Sequence, residues 1–345
     1  MSGDLGIIYR DARDIMGRVR FQNFRGSSVM ITGASGLLGH YFVACLRELN
    51  ANLKIYALTA TPPTAEFQEL CRFQNAEIIC GDLTDPKFQS SLPYADFIVH
   101  AAGYGQPNRF MEFPIKTLHL NTAATFSLFE KLNRGGKFLF IGTSEVYAGL
   151  TSSPHRESQI GTTNTDHPRA CYIEAKRCGE AICHSFQKSG VDSKIARLAL
   201  AFGPGTKPGD RRVLHSFIEK GLNGRIDLLD QGLARRTYCY VSDAMEMLWN
   251  IALQGRETVY NVGGTARTTI RDLALRVGAF MKVPVYFPAE TQELKGAPED
   301  VQLDLSRVCS EFSKKDFISL DEGLRRTIAW QRSIAPQKTE ERAHA

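Results

Sequence analysis

The sequence has no long apolar run, no cysteine pair with metal-ligand spacing and no large excess of charge. No apolar run reaches the ~18 residues that a membrane-spanning helix requires, and the opening residues MSGDLGIIYRDARD carry acids and lack the apolar stretch of a signal peptide. The formal net charge of +5 over 345 residues is too small and too scattered to indicate nucleic-acid binding. We therefore expect a cytoplasmic protein with neither a membrane nor a nucleic-acid partner.

The eight cysteines form no C-x-x-C pair and accompany no cluster of histidines. Without the spacing of a disulfide framework or a zinc site, these thiols are predicted to be buried and reduced. Cys183 and His184 are adjacent, but adjacent side chains on a helix point in different directions and make a poor ligand pair. The sequence therefore predicts no metal site.

Short apolar runs alternate with helical segments from residue 27 onwards. The strand candidates are 27–32, 53–58, 76–81, 96–102, 137–142, 194–200 and 258–263, and the helix candidates between them lie near 37–49, 65–74, 114–133 and 169–188. Most of the runs are continuously apolar, as in parallel strands buried on both faces. This alternation predicts an α/β fold with a doubly wound parallel sheet of the Rossmann type.

The pattern loosens after about residue 200, where the Gly/Pro-rich segment FGPGTKPGDRR precedes helices predicted near 211–223, 241–253, 268–281 and 321–332. We predict a smaller C-terminal lobe made of 201–235 and 265–334, and a main domain made of 26–200 and 236–264. Residues 1–25 are predicted to form a helical extension, and the polar residues 335–345 a flexible tail.

A glycine triplet stands between the first strand and the first helix of the main domain, in the segment TGASGLLG. Glycines at these positions allow a tight turn and close approach of the backbone to a pyrophosphate, which the helix N-terminus attracts. Because the triplet follows a strand and opens a helix, it predicts a dinucleotide site. The predicted phosphate-binding residues are Gly33, Ser35, Gly36, Leu37, Leu38 and Gly39.

Two later strand ends point to the same site. Asp82 and Leu83 follow the third strand at the position expected to meet the adenine, and Ala101, Ala102 and Gly103 follow the fourth, where small residues let the cofactor pass. The second strand ends without an acid to bind a ribose 2′-hydroxyl and without an arginine to accept a 2′-phosphate. The cofactor is therefore predicted as NAD or NADP.

Tyr172 and Lys176 lie one turn apart on one face of a predicted helix. A free phenol, with a pKa near ~10, is a poor base at neutral pH, and a nearby ammonium is expected to lower that pKa. Lys176 is also expected to hold the nicotinamide ribose, so both residues are predicted cofactor contacts. Thr143, at the carboxyl end of the strand KFLFIG, is placed to hydrogen-bond the substrate hydroxyl that Tyr172 deprotonates.

With these motifs the chain resembles the extended short-chain dehydrogenase/reductases of the nucleotide-sugar epimerase and dehydratase family, over roughly residues 27–330. The resemblance rests on TGASGLLG, HAAG, GTSEVYAG, PRACYIEAKR, ARLALAFGPG and RRTYCYVSDA. Within the family, TSEVY and PRACY look most like UDP-glucuronate decarboxylases.

The resemblance implies an enzyme that oxidises sugar C4, which makes a 4-ketone and acidifies the C5 hydrogen. Loss of water from C6, or of carbon dioxide from a C6 carboxylate, then precedes reduction. Glu145 is implied as a catalytic acid near C5, and Ser144 as a substrate contact. Arg236, and Arg211 with Arg212, are implied contacts of a nucleotide-diphosphate sugar in the smaller lobe.

The resemblance also implies a homodimer that pairs the helix bearing the tyrosine with the helix near 114–133. The apolar spacing of Cys171, Ala175, Cys178 and Ile182 permits that contact, and burial in the core explains the same spacing equally well.

The sequence departs from the family pattern at three positions. Val301 stands where decarboxylases usually carry an arginine for the substrate carboxylate, and Leu200 where many relatives have an asparagine for the diphosphate. Ser144 replaces the aspartic acid that protonates the leaving hydroxyl in dehydratases.

The reaction therefore stays open. A dehydratase or decarboxylase retaining bound NAD is one reading, and a 4-epimerase or an NADPH-dependent 4-ketoreductase, which would not use Glu145, is the second. A catalytically silent dinucleotide-binding scaffold is the third, against which the intact pair of Tyr172 and Lys176 argues.

Overall fold

The computed structural model describes residues 5–21, 27–49, 52–73, 75–207, 209–289 and 300–335. The first half contains strands β1 (Ser28–Thr32), β2 (Lys54–Thr59), β3 (Ala76–Cys80), β4 (Ala95–His100), β5 (Leu132–Thr143) and β6 (Asp192–Leu198), and helices α1 (Leu5–Met16), α2 (Leu37–Leu49), α3 (Ala65–Leu70), α4 (Pro86–Ser91), α5 (Pro107–Glu112), α6 (Pro114–Asn121), α7 (Ala123–Glu130) and α8 (Ala170–Lys188). A 3₁₀ helix, Ser144–Tyr147, follows β5 directly.

The second half contains shorter strands and five more helices. Its strands are β7 (Ala201–Phe202), β8 (Ile226–Asp227), β9 (Arg235–Tyr240), β10 (Val259–Val262), β11 (Ala266–Thr269), β12 (Val285–Tyr286) and β13 (Asp300–Val301), and its helices are α9 (Val213–Leu222), α10 (Val241–Gln254), α11 (Ile270–Met281), α12 (Ser306–Phe312) and α13 (Leu320–Ile334). The predicted tail lies outside the described residues, apart from its first residue.

A seven-stranded parallel sheet in the order β10-β6-β5-β4-β1-β2-β3 forms the centre of the molecule. Its seven strands coincide with the seven predicted strand segments, so the predicted doubly wound α/β fold is confirmed. The chain runs outward from β1 to β2 and β3, then returns to place β4 on the other side of β1. This change of direction opens a crevice at the carboxyl ends of β1 and β4, where open α/β sheets bind ligands.

Helices cover both faces of this sheet. On one face, the buried Trp249 of α10 meets Phe42 of α2 edge-on, with ring centroids 4.9 Å apart. The N-terminal helix α1 packs beside α2, and its fully buried Asp11 accepts hydrogen bonds from Tyr41 at 2.9 Å and Tyr240 at 2.6 Å.

The segment predicted as one helix near 114–133 is two helices, α6 and α7. The break falls at Thr122, whose φ of −117° and ψ of −82° are not helical. Its hydroxyl, like those of Thr117 and Thr125, donates to the carbonyl four residues earlier, a bond that bends helices.

Short strands of the second half form two smaller sheets. Strands β11, β9 and β13 lie side by side, β7 pairs with β9, and β12 pairs with β8. Strand β10 belongs to the central sheet, whereas β9 belongs to the smaller one. Where the main domain ends and the smaller lobe begins stays a prediction.

All eight cysteines are free thiols, as predicted. The prediction that they are buried is confirmed for Cys45, Cys71, Cys183 and Cys239, while Cys171 and Cys309 are only half-buried. It is wrong for Cys80 and Cys178, which are exposed because each points outward from its strand or helix. Over the described ranges, no group of three or more His, Cys, Asp or Glu side chains is placed to hold a metal ion. None of the helices described here combines the length and the apolar character needed to cross a bilayer.

Candidate active site

The first strand of the central sheet runs directly into a tight glycine turn. Gly33 has a φ of 66°, in the left-handed region that favours glycine, and a Cβ there would stand 2.8 Å from the carbonyl oxygen of Ala101. A Cβ at Gly39 would stand 2.3 Å from the carbonyl oxygen of Ala34, so only glycine lets the helix lie against the turn. Helix α2 begins at Leu37, and its first N–H groups have no partner within the helix.

A buried histidine joins the ends of β1 and β4. His100 Nε2 lies 2.9 Å from the carbonyl oxygen of Leu120, which can only accept, so this nitrogen donates. His100 Nδ1 then accepts from the hydroxyl of Thr32 at 2.8 Å, and that oxygen accepts from the N–H of Ala102 at 3.0 Å. Burial lowers the pKa of His100 to about 3. The neutral ring thus holds the small residues after β4 beside the glycine turn.

Asp82 is held from two sides at the end of β3. Its Oδ1 accepts from the N–H and the hydroxyl of Thr84, at 2.9 and 2.8 Å, and its Oδ2 accepts from the Lys116 ammonium at 2.6 Å. Burial raises the pKa of Asp82, but these bonds outweigh burial and leave the pKa below its ordinary value. An open depression of about 470 Å³ adjoins these residues, while the neighbouring Leu83 is buried. An ionised carboxylate therefore stands at the predicted adenine position.

The predicted base and the predicted hydroxyl partner meet at the end of β5. The buried ring of Tyr172 stacks on Phe110, with centroids 4.4 Å apart and planes inclined by 4°. The side chain of Thr143, the last residue of β5, lies close enough to the phenol to lower its pKa. Burial raises the pKa of Tyr172 to about 12, although Thr143 and the charges of Arg169 and Arg212 act in the opposite direction.

Lys176 follows one turn later on α8 and is also buried. Its ammonium donates to the carbonyl oxygen of Ile141 at 2.8 Å and lies 4.8 Å from the ring centroid of Phe140. Burial lowers the pKa of Lys176 to about 8. A Cβ at Gly103 would stand 3.8 Å from Lys176 Nζ and 3.9 Å from Asn121 Oδ1. The absence of a side chain at Gly103 therefore leaves open the space in front of these two polar groups.

Lys176 does not lower the pKa of Tyr172 as the sequence predicts. The cations that lower the Tyr172 pKa are Arg169 and Arg212, whereas the lysine is engaged by the β5 backbone. The expected lowering by Lys176 is therefore not present in this state, because burial dominates at both residues.

Glu145 lies between two arginines just past the end of β5. Its side chain, 22 % exposed, forms a short ion pair with Arg169, whose side chain is 12 % exposed. Burial raises the pKa of Glu145, and the charges of Arg169 and Arg236 oppose that rise. Arg169 Nε is buried and has no hydrogen-bond partner. This cluster has one more positive charge than negative, which suits an anionic ligand.

The two arginines at the end of the Gly/Pro-rich segment, Arg211 and Arg212, lie in different environments. Arg212 donates two hydrogen bonds to the buried Asp210, from Nη2 to Oδ2 at 2.7 Å and from Nε to Oδ1 at 3.0 Å. The charge of Arg212 also lowers the pKa of Tyr172. Arg211 is exposed, and its backbone N–H donates to Gln106 Oε1 at 3.3 Å. The structure thus brings Arg212, but not the side chain of Arg211, to the candidate site.

Two buried polar atoms without partners test whether this crevice suits a dinucleotide. Strand register pairs Leu58 with Thr32, so Thr59 lies beside Gly33, and its Oγ1 is buried with no hydrogen bond. Asn121 Oδ1, near Lys176, is likewise unpaired. Each such atom costs free energy until a partner arrives. Ribose hydroxyls and a carboxamide are suitable partners, so the residues present fit NAD or NADP.

Several residues of the site were not found from the sequence. They are Phe110, Lys116, Asn121 and Arg169. Arg169 alone carried a signal, because it stands three residues before Tyr172 at the start of the same helix. The others come from segments whose approach to the site depends on the tertiary fold.

Comparison with known proteins gives a consistent picture. The family model described as "NAD dependent epimerase/dehydratase family" matches residues 29–263. UDP-glucuronic acid decarboxylase 1 of Danio rerio is 28% identical over 307 residues, which cover 88% of this chain and 72% of that protein. UDP-glucuronic acid decarboxylase 6 of Arabidopsis thaliana is 29% identical over 304 residues, 86% of each chain.

Among solved structures, an epimerase of Methanothermobacter thermautotrophicus matches with a TM-score of 0.78 and 20% identity, covering 95% of this chain and 96% of that one. At this level of identity the likeness shows the fold.

Proposed function

Because the chain belongs to the NAD dependent epimerase/dehydratase family, whose model matches residues 29–263, we propose that it binds NAD in the crevice beside the glycine turn and decarboxylates a nucleotide-linked uronic acid. The substrate class follows the names of the decarboxylases that the chain resembles over 86–88% of its length.

The observation that carries the proposal is the contact between the Tyr172 phenol and the Thr143 side chain at the carboxyl end of β5. This contact supports a proton acceptor and a hydroxyl acting together at the edge of the sheet where the glycine turn lies. Glu145 stands two residues after Thr143, and its N–H donates to Thr143 Oγ1 at 3.2 Å. A base, a hydrogen-bonding hydroxyl and a carboxyl group therefore lie together.

A nicotinamide bound in this crevice would supply a reversible acceptor for the hydride of sugar C4. Tyr172, as phenolate, takes the proton of the C4 hydroxyl while Thr143 orients that hydroxyl. Glu145 delivers a proton to C5 after the resulting β-keto acid loses carbon dioxide, and Tyr172 finally returns its proton to the C4 oxygen. The charges of Arg169 and Arg212 favour the phenolate, Lys176 would hold the nicotinamide ribose, and His100 stays neutral.

Substrate anions are proposed to meet Arg236, Arg212 and Arg169. In the smaller sheet Arg236 lies in register with Val301, the position at which decarboxylases usually carry an arginine. Positive charge therefore lies close to that position, although the arginine itself is missing. Planar guanidinium groups suit carboxylate and phosphate oxygens in two-point contacts.

Dehydration fits this site less well than decarboxylation. Loss of water from C6 needs an acid to protonate the leaving hydroxyl, and the position that carries an aspartic acid in dehydratases is Ser144 here. A serine hydroxyl, far less acidic than a carboxyl group, cannot fill that role at neutral pH. Loss of carbon dioxide needs no such acid.

The second candidate function is 4-epimerisation, and the ion pair between Glu145 and Arg169 favours it. The ion pair with Arg169 stabilises the carboxylate form of Glu145, which has no proton to deliver, although burial leaves the Glu145 pKa above its ordinary value. Epimerisation needs no proton at C5. A solved UDP-glucuronic acid 4-epimerase of Bacillus cereus, in complex with UDP-glucuronic acid and NAD, matches this chain with a TM-score of 0.76 and 21% identity over 89% of this chain and all of that one.

The purified protein tests both candidates. We expect NAD to copurify and not to be consumed, and mass spectrometry to show loss of carbon dioxide from UDP-glucuronic acid. An unchanged mass with an altered sugar configuration would favour the epimerase, and loss of water the dehydratase. Steady oxidation of NADPH with a 4-keto sugar would show a reductase. Bound NAD with no turnover of any nucleotide sugar would show a silent scaffold.

We further propose a homodimer that forms through α6, α7 and α8. Ile115 is 69% exposed and Phe126 51% exposed, both on the outer side of α6 and α7. The apolar side chains of α8 offer less surface to a partner than the sequence suggests, because Ala175 and Ile182 are buried within the chain. Phe126→Glu is expected to halve the mass found by light scattering, and a monomeric wild-type protein would refute the dimer.

A cytoplasmic location completes the proposal. Cys80 and Cys178 are exposed free thiols, and such thiols persist in a reducing compartment.

A further inference from the structure

A lysine from the Gly/Pro-rich segment after β7 reaches the glycine turn. The Lys207 ammonium donates to Ser35 Oγ at 3.0 Å, across 172 positions of sequence. Ser35 is buried within the turn, between Gly33 and Gly36. The segment that carries Lys207 belongs to the predicted smaller lobe, so this contact joins that lobe to the turn.

The charge of Lys207 is not balanced at this position. The Lys207 residue is exposed overall, but protein atoms around its ammonium lower the pKa of that group, and no carboxylate in the described part of the chain offsets the effect. The nearby ring of His40 cannot share the charge, because burial and, to a smaller extent, the charge of Lys207 lower the pKa of His40 to about 4. His40 is neutral at pH 7 and donates through Nδ1 to the carbonyl oxygen of Gly36 at 2.9 Å.

Lys207 also stands at the positive end of a helix. Helix α2 has 13 residues and begins at Leu37, two residues after Ser35. The N-terminus of such a helix carries about half a positive charge, which repels a cation and attracts an anion. A lysine directed at this terminus is therefore unfavourable by itself, and it becomes favourable once an anion lies between the two.

We propose that Lys207 closes over the glycine turn and binds the pyrophosphate of the dinucleotide, so that the smaller lobe retains the cofactor between catalytic cycles. This inference rests on the proposed function, which places a dinucleotide beside the turn. The neutral oxygen of Ser35 holds the ammonium until the anion arrives, and a charge-assisted bond to phosphate is stronger than that bond. Retention matters because the proposed reaction leaves NAD unchanged, so release is not needed at each cycle.

Binding measurements test this role without relying on activity. Calorimetry with wild type, Lys207→Met and Lys207→Arg uses NAD, ADP-ribose, adenosine and UDP as ligands. We expect Lys207→Met to weaken NAD and ADP-ribose about 10- to 100-fold, the value of one charged hydrogen bond. Adenosine, which has no phosphate, keeps its affinity. Lys207→Arg restores most of the loss.

Two further measurements separate this role from others. Stopped-flow displacement is expected to show that most of the loss in Lys207→Met is faster NAD dissociation. Lys188→Met removes an exposed lysine at the end of α8 and is expected to change neither quantity.

The possible failures are distinguishable. Equal NAD affinity in wild type and Lys207→Met would overturn the inference alone, as would a loss confined to UDP, which would assign Lys207 to the substrate. A wild-type protein that binds neither NAD nor ADP-ribose would overturn the proposed function as well. Thermal unfolding without ligand checks that each variant is folded.

Discussion

The Lys176 ammonium donates a hydrogen bond to the carbonyl oxygen of Ile141 at 2.8 Å, and so ties helix α8 to strand β5 two residues before Thr143. Strand and helix thereby present Thr143 and Tyr172 to each other. The same bond keeps a cation inside the protein, where burial lowers the Lys176 pKa to about 8. A buried charge of this kind costs stability and is retained for another reason, which we infer to be catalysis.

Lys176→Met is expected to raise the free energy of unfolding at pH 7 by about 3 kcal/mol, from the fall of the pKa from 10.5 to about 8. Below pH 8 the folded wild type carries the buried ammonium at this cost. Between about pH 8 and 10.5 the folded protein has lost the proton and the unfolded chain keeps it, so wild-type stability rises with pH. The advantage of the variant therefore shrinks across that range.

Urea unfolding of both proteins from pH 7 to 10 measures this difference. The exposed-lysine variant Lys188→Met serves as a control with little change. A stability difference between Lys176→Met and wild type that does not vary with pH would refute the buried-charge explanation.

Tyr172→Phe is expected to lower turnover about 10²- to 10⁴-fold, the usual contribution of a general base, and to leave NAD bound. The phenol oxygen is lost, but the ring keeps its stacking on Phe110. Product formation and copurified NAD are measured in the same preparation. Tyr94→Phe, at a 60% exposed tyrosine, is the control. Activity retained in Tyr172→Phe would remove this residue as the base.

Glu145→Gln is expected to slow decarboxylation about 10²-fold, because the amide cannot deliver a proton to C5. UDP affinity should change little, since Arg236 and Arg212 remain. The control is Glu112→Gln, which removes an exposed glutamate paired with Arg109 at 2.9 Å. Steady-state rates with UDP-glucuronic acid measure the effect, and an unchanged rate in Glu145→Gln would favour epimerisation or reduction.

The seven strands of the central sheet could be predicted because each is a short apolar run between helical segments, as parallel strands buried on both faces must be. The smaller sheet could not, because β7 and β13 have two residues each and no hydrophobic period can be read from two residues. Strand β9 begins with two arginines; the sequence predicts Arg236 as a substrate contact and 236–264 as part of the main domain, but indicates no strand there.

The same division applies to the site. The glycine turn, Thr143, Tyr172 and Lys176 follow from local spacing along one strand or helix. Lys207 and Phe110 reach the site only through the tertiary fold: the Gly/Pro-rich segment that carries Lys207 does not indicate where its side chains lie, and the segment of Phe110 has no motif. The Tyr172 pKa could not be predicted either, since burial raises it to about 12, and burial depends on Phe110 and the rest of α5.

Thr59→Asp is expected to turn a weak preference between NAD and NADP into a strong preference for NAD. Thr59 ends β2 beside Gly33, where Rossmann folds that select NAD carry an acid that binds the ribose 2′-hydroxyl. With a neutral hydroxyl there, wild type is expected to bind NAD and NADP within about 10-fold of each other, because no charge attracts or repels a 2′-phosphate.

An added carboxylate repels that phosphate, so Thr59→Asp is expected to weaken NADP about 10- to 100-fold, as like charges brought together do, and to leave NAD at least as tight. Calorimetry with both cofactors measures the ratio, and Thr61→Asp, which places the same charge at an exposed position two residues later, should change it much less. A wild-type protein that binds NADP more than about 100-fold more weakly than NAD would show that a group other than Thr59 discriminates at the ribose 2′ position. Because an unpaired buried carboxylate also destabilises the fold, thermal unfolding of Thr59→Asp should recover on adding NAD but not NADP, which ties the effect to the ribose rather than to general damage.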